Sequence, residues 1–399
     1  GLEWGGVWTR DVSYSTILSM AYMQPQAAMT SLLCKINSKG EIVQDTGTGG
    51  AWPCSTDRQV WVAAAWELYK VTGSREWIEK VYPVAKKSLE VDMRTIYDEQ
   101  TGLAKGESSF IDWRKNSYPL WMESSDIYDS KCLGTNLVHY IALSSAAEMG
   151  RILGDSESAE IFDAKAQAVK KAVNEHLWME DKGYYAQFLA GRNDDILYTK
   201  SETLGQSLAI LYGVAEGERA DRLSQSMPVV GFGAPVFWPW IPDQPPYHNR
   251  AVWPFVQSFW IQASAKTGNE TGVLHGISAV WRAAMMYATN KENYVANDGN
   301  WRGTQVNSSN MLWSLSGSLS ITFRTLMGIQ YNDPQCLTFA PVVPKSLKAE
   351  RKVKGFRYRD AVIDITVKGY GDIIRSFSID GEVKEKPVFP AGMTGNHTV

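Results

Sequence analysis

Long apolar runs are missing from this chain. Nowhere do the roughly 18 to 20 consecutive apolar residues of a membrane-spanning helix occur, so no membrane span is expected. An excess of one charge is missing too. Forty Lys and Arg stand against 43 Asp and Glu, a net charge of −3, which leaves no electrostatic footprint for nucleic acid or an acidic membrane. Cysteine is scarce. Cys34, Cys54, Cys132 and Cys336 are widely spaced, with no C-x-x-C pair and no Cys/His zinc spacing. That excludes a disulfide framework, leaves one or two bridges open, and calls for no metal and no cofactor. The glycine-rich stretch 45–56 lacks the Lys-Ser/Thr of a phosphate loop and the spacing of a dinucleotide fingerprint. No exact repeat runs through the sequence, which leaves the known solenoid families unsupported. No signal peptide is visible. The chain opens on Gly-Leu-Glu-Trp inside structured-looking sequence and ends in mid-pattern, so it is expected to be a fragment of a longer protein.

Aromatic residues are abundant: 16 Trp, 18 Tyr and 12 Phe. Many stand beside turns and polar residues. Buried, they fill a large core; at a loop they offer flat faces to ligands with apolar C–H faces, as sugars have. Helical periodicity runs through residues 17–33, 57–73, 76–95, 135–153, 156–177, 201–213, a short stretch after Gly217, a stretch carrying Phe255, Val256, Phe259, Trp260 and Ile261, then 270–289 and 308–327. Long aromatic or glycine-bearing loops interrupt it, which suggests paired helices with loops gathered on one side. Near residue 335 the pattern changes to period two with β-branched residues, as in Ala361-Val-Ile-Asp-Ile-Thr-Val. A helical domain over 1–333 and a small, truncated β-domain over 334–399 are expected.

The stretch Glu107-Ser-Ser-Phe-Ile-Asp-Trp-Arg114 carries the sharpest chemical signal. Asp112 stands among Phe110, Ile111 and Trp113. An apolar wall disfavours the carboxylate anion, and a carboxyl kept protonated near neutrality can act as a general acid. The plain alternative is a loop Asp that caps a helix or pairs with Arg114. Arg10 and Asp11, flanked by Trp4 and Trp8, stand at a helix N-terminus. Asp there is an ordinary cap, but an Arg-Asp pair also grips vicinal hydroxyls.

Four segments resemble the catalytic module of six-hairpin (α/α) toroid glycosidases of the trehalase, glucoamylase and processing α-glucosidase type, with some likeness to the α-L-rhamnosidases. Trp8-Thr9-Arg10-Asp11 resembles the sugar-gripping Trp-x-Arg-Asp. Glu107 to Trp113 resembles the acid segment, mapping the acid onto Asp112, although Ser109-Phe110-Ile111 stands where a Gly is common. Tyr247-His248-Asn249 with Trp253-Pro254 resembles the pocket-shaping loop. Glu292-Asn293-Tyr294 resembles the base segment. The resemblance implies a mainly α (α/α)6 toroid followed by a small β-sandwich, and an inverting glycoside hydrolase acting on an α-linked oligo- or polysaccharide, secreted or periplasmic. Asp112 is the implied acid, with Glu107 competing. Glu292 is the implied base, with Asp298 competing. Arg10, Asp11, Asp57, Arg114, Tyr247, His248 and Asn249 would hold the sugar, with Trp8, Trp52, Trp113 and Trp253 stacking on it. Inversion needs carboxyls roughly 6.5 to 9.5 Å apart. A carbohydrate-binding protein with a decayed site, a phosphorylase using Arg302 and Thr304, and a polysaccharide lyase using Tyr247 or His248 are the alternatives, since a fold does not guarantee an activity.

Overall fold

The computed structural model describes residues 1–45, 56–112, 114–191 and 195–399, and only the backbone of Arg114. Fourteen α-helices form among the described residues: α1 (Thr9–Ser15), α2 (Ala21–Met23), α3 (Pro25–Leu33), α4 (Asp57–Thr72), α5 (Arg75–Thr95), α6 (Arg114–Ser117), α7 (Ser124–Asp129), α8 (Leu133–Leu153), α9 (Ser156–His176), α10 (Thr203–Leu211), α11 (Glu218–Ser226), α12 (Pro254–Lys266), α13 (Glu270–Tyr287) and α14 (Leu312–Ser320). π-helical turns extend α1 over Thr16–Met20 and α14 over Ile321–Leu326.

Six of these helices close a ring. α1 packs on α4, α4 on α8, α8 on α10, α10 on α12, α12 on α14, and α14 returns to α1. The pattern of buried residues explains which helices lie inside. α8 and α12 are buried on almost every side, and such helices belong in a core. α5 and α9 bury only a stripe (Trp77, Ile78, Val81, Ala85, Leu89; Phe162, Ala166, Val169, Val173) and lie outside, α5 on α4 and α9 on α8. α3, α11 and α13 complete the outer layer on α4, α10 and α12. The architecture is a toroid of helical hairpins, as the sequence leads one to expect.

Three hairpin turns share one local cause. Gly73, Gly154 and Gly268 adopt φ values of 67°, 83° and 67°, a left-handed geometry that Gly enters without penalty. Each is followed by a capping residue. Ser74 accepts from Trp77 N at 3.2 Å, Asp155 from Ser158 N at 3.3 Å, and Asn269 from Gly272 N at 2.9 Å. The chain therefore stops one helix and starts its antiparallel partner within two or three residues.

The β-region begins at Ile329, inside the span that composition assigns to the helical domain. Ile329–Asp333 already pairs antiparallel with Cys336–Phe339, which pairs with Val388–Pro390. A second sheet runs Ala349–Tyr358, Ala361–Gly369, Gly395–Thr398, the last strand parallel to its neighbour. The region is locked to the toroid. Buried Arg324 pairs with Glu67, donates to Ile17 O at 3.1 Å, and lies 5.2 Å from the Tyr22 ring and 4.9 Å from the Tyr331 ring of the first strand. Cys34, Cys132 and Cys336 are free thiols; Cys54 lies outside the described residues.

Candidate active site

Each inner helix runs outward into its hairpin, and a longer loop returns the chain to the start of the next inner helix. The loops before α1, α4, α8, α10, α12 and α14 therefore gather at one mouth of the ring, where helix N-termini favour negative charge. This is where the acidic residues are found.

Arg10, in the first turn of α1, is the hub. Its guanidinium meets Asp112 at 2.8 Å and Asp57, the first residue of α4, at 3.7 Å. Asp57 also accepts from Asp45 N at 3.0 Å. Burial opposes the charge on Arg10, but Asp112, Asp57, Asp11 and Glu107 together hold it firmly protonated. Burial pushes Asp112 above the ordinary carboxyl range, and Arg10 offsets only part of that. Asp57 is raised for the same reason. Asp11 is pushed up to about 7 by burial, with the charges of Asp57 and Asp112 adding to it and Arg10 opposing.

The segment carrying Asp112 is held in an unusual turn. Phe110 has φ +57°, a left-handed value uncommon for a bulky residue. Strain of this kind costs about 1–3 kcal/mol and persists only where the surroundings impose it. In this segment they do. The Phe110 ring lies 5.0 Å from Phe255, 5.4 Å from His248 and 5.5 Å from Trp253. Tyr118 Oη donates to Ile111 O at 2.9 Å and accepts from Ser108 N at 2.9 Å. Tyr14 Oη bonds Ser109 Oγ, and Thr135 Oγ1 donates to Glu107 O. Glu107 is buried two residues before Ser109.

Glu292 stands before α14. Its carboxylate accepts from the Trp4 indole at 3.2 Å and from Ser308 N at 3.1 Å. Burial pushes it up to about 8, with Asp11 and Asp112 adding to the rise. The charges of Asp11 and Asp112 are thus felt at Glu292, although some 180 residues separate Asp112 from it in the chain. Asp298, the competing base, is exposed, and its Oδ1 accepts from Asn300 N at 2.8 Å. It closes a turn away from the cluster. Tyr247 is buried among these groups. Burial first, then the charges of Glu292 and Asp112, keep its phenol protonated far above neutrality.

Three expected sugar contacts stand behind the site rather than on it. Trp253 is buried, donates to Tyr247 O at 2.8 Å, and packs on Phe110 and Trp313, so its faces are taken by core aromatics. Asn249 is spent on the backbone of Ile241 and Gln244. His248 is buried beside Ser117 Oγ at 2.6 Å, and burial, aided by Arg10, keeps it neutral. A neutral imidazole fixed there organises the wall. Trp8 remains partly exposed, with Arg10 5.6 Å from its ring. Trp52, Trp113 and the Arg114 side chain lie outside the described residues. The phosphate-site residues suggested by sequence are otherwise engaged. Thr304 Oγ1 donates to Trp301 O at 3.1 Å, and Arg302 is exposed beside the Trp301 ring.

Sequence reasoning sets Trp4 beside Arg10 and Asp11 but not against Glu292, and it passes over Ser308, which also positions Glu292, and Glu202. Glu202 caps α10 by accepting from Leu204 N and Gly205 N at 2.9 and 2.8 Å, and burial pushes it up to about 8. A carboxylate just before an apolar helix is the available signal for Glu202. Nothing local marks Trp4, whose partner is 288 residues away.

A family model described as the bacterial alpha-L-rhamnosidase 6 hairpin glycosidase domain matches residues 20–228, just over half of the chain. The match includes Asp57 and Asp112, and Arg10 and Glu292 lie outside it. N,N'-diacetylchitobiose phosphorylases of Vibrio furnissii and Vibrio proteolyticus are each 24% identical over 184 residues, which is 42% of this chain and 22% of theirs. The aligned part thus spans about a fifth of those relatives. Among solved structures, one named sialidase aligns over 95% of this chain and 35% of its own, with a TM-score of 0.69 and 14% identity. A GH78 family rhamnosidase of Bacillus sp. GL1 aligns over 77% and 31% (TM-score 0.52, 19% identity). A rhamnosidase from Klebsiella oxytoca with rhamnose bound aligns over 78% and 56% (TM-score 0.56, 15% identity). At these identities the structural likeness speaks to the fold.

Proposed function

Because this chain belongs to the bacterial α-L-rhamnosidase six-hairpin glycosidase family, we propose that it is the catalytic region of a hydrolase that releases a neutral, α-linked sugar with inversion. Asp112 donates its proton to the leaving oxygen as the glycosidic C–O bond breaks. Glu292, in the ionised form that gains as pH rises toward about 8, takes a proton from a water that attacks the anomeric carbon from the opposite face, and Arg10 with Asp11 and Asp57 holds hydroxyls. One observation carries this reading. Two buried carboxyls from distant segments, Asp112 and Glu292, are each disfavoured as an anion by burial, and the charge of Asp112 adds to the rise at Glu292. Such paired carboxyls are the machinery of glycoside hydrolysis.

The charge balance supports water over phosphate as the attacking group, and a neutral sugar over an anionic one. Asp11, Asp57, Asp112 and Glu292 surround one cation, Arg10, which is already paired. His248 adds no charge. Among the described residues, this cluster offers no free cation to an incoming anion. The likeness to the Vibrio phosphorylases favours phosphorolysis as the second reading. Aryl α- and β-glycosides, 4-nitrophenyl α-L-rhamnoside among them, assayed with and without inorganic phosphate, separate the two. Hydrolysis expects cleavage indifferent to phosphate and abolished in Glu292→Gln. Cleavage that requires phosphate and yields a sugar phosphate would transfer the protein to the phosphorylases.

A further inference from the structure

The C-terminal region differs from the toroid in charge. From residue 334 onward, 11 Lys and Arg stand against 7 Asp and Glu, a surplus of 4 positive charges, although the whole chain is at −3. Much of the surplus lies on one sheet face. In the sheet of Ala349–Tyr358, Ala361–Gly369 and Gly395–Thr398, the residues Phe356, Tyr358, Ala361, Ile363 and Ile365 are buried. Lys352, Lys354, Arg357 and Lys368 are exposed. Strand alternation sends these side chains to the opposite face, and pairing brings Lys352 opposite Thr366 and Lys368 opposite Glu350.

The anions on that face do not cancel it. Glu350 is shared between Lys352 at 2.8 Å and Lys368 at 3.2 Å. Asp364 is engaged by Gly355 N at 2.8 Å, where the strand bulges. Lys354 and Arg357 have no carboxylate partner among the described residues. The face is therefore cationic and solvated, with Val362 half-buried between Arg357 and Asn396 on its central strand. Such a surface suits an extended polyanion better than a folded protein partner, whose interfaces are built around aromatic and apolar anchors.

We propose that this sheet face docks the anionic backbone of a polysaccharide, bearing carboxylate or sulfate groups, from which the toroid removes a neutral branch sugar. The second half rests on the hydrolase reading above; the docking half stands without it. The two ends of the molecule differ in the way such a substrate requires. The ring mouth holds its one cation, Arg10, among carboxyls and offers an anionic sugar no free positive charge, while the sheet offers several. Attraction between exposed charges of this kind is screened by salt.

Affinity electrophoresis of the whole chain, in gels carrying polygalacturonate, heparin or neutral dextran, tests the proposal. Retardation is expected in a polyanion gel, is relieved by added salt, and is absent in dextran. Polygalacturonate alone identifies carboxylate as the source, and heparin alone identifies sulfate. The variant Lys354→Glu/Arg357→Glu, at the two cations without a carboxylate partner among the described residues, should bind about tenfold more weakly, which is about 1.4 kcal/mol, with its unfolding midpoint and aryl-glycoside turnover unchanged. Lys354→Gln, a milder change at an unpaired position, should show a smaller loss in the same direction. Equal retardation of wild type and both variants, or none in either polyanion, would overturn the proposal. Retardation without cleavage of any glycoside would remove the hydrolase reading and leave the docking face standing.

Discussion

At the scale of single residues, one cation among carboxylates governs the ring mouth. Replacing Arg10 with Met leaves Asp112 and Asp57 buried without their shared counterion. Removing one partner of a buried ion pair costs about 3–5 kcal/mol, so the denaturant midpoint of Arg10→Met should fall clearly. Glu292 makes a separate, pH-dependent prediction. Its ordinary value is 4.5 and its folded value about 8, so the folded protein holds this proton more tightly than the unfolded chain does. The stability that this proton contributes is complete below about 4.5 and is lost as pH rises through about 8. Glu292→Gln has no proton to lose there. Its melting temperature should therefore gain on that of wild type across this window, and a constant difference would contradict the burial argument. Asp298→Asn, at an exposed turn, should keep turnover and stability within about twofold and about 0.5 kcal/mol of wild type, the range of surface changes.

At the scale of elements, the hairpins are legible in the sequence because their signals are local. Gly73-Ser74, Gly154-Asp155 and Gly268-Asn269 each pair a left-handed stop with a capping side chain, and the burial stripe of α9 can be counted along the chain. The acid segment is legible in part. Its apolar neighbours can be read, but not the reason that Phe110 occupies a Gly-like position, which lies in aromatic rings more than 130 residues away. The same limit hides Trp4, and it hides the burial of Trp253, because a tryptophan beside prolines reads alike whether it lines a pocket or fills the core behind one. Composition places the β-region a few residues late because Ile329–Asp333 follows the last helix with only Gly328 and Met327 between. Gly328 itself has φ +70°, and a Cβ there would come within 2.0 Å of Pro341 N. Gly328→Ala must therefore move backbone, and it should lower the unfolding free energy by more than about 1 kcal/mol.

At the scale of the molecule, buried contacts join toroid and β-region. Arg324 ties α14 to Glu67 of α4 and to Tyr331 of the first strand, and Arg359 reaches Lys70 O at 3.4 Å from the far sheet. Calorimetry should give a single cooperative transition, and a chain cut before Ile329 should lose cooperativity because Arg324 and Tyr22 lose their cover. Two resolved transitions would mean that the β-region is an independent module. In the proposed function Asp112 and Glu292 stand on opposite faces of one sugar, at the mouth where the closed ring gathers its loops. The most direct test of that claim is the anomer first released from a cleaved aryl α-glycoside, followed by proton NMR before mutarotation, for wild type and Glu292→Gln. Release of the β-anomer by wild type and no release by the variant are predicted. First release of the α-anomer would mean retention through a covalent intermediate and would contradict the roles of Asp112 as acid and Glu292 as base.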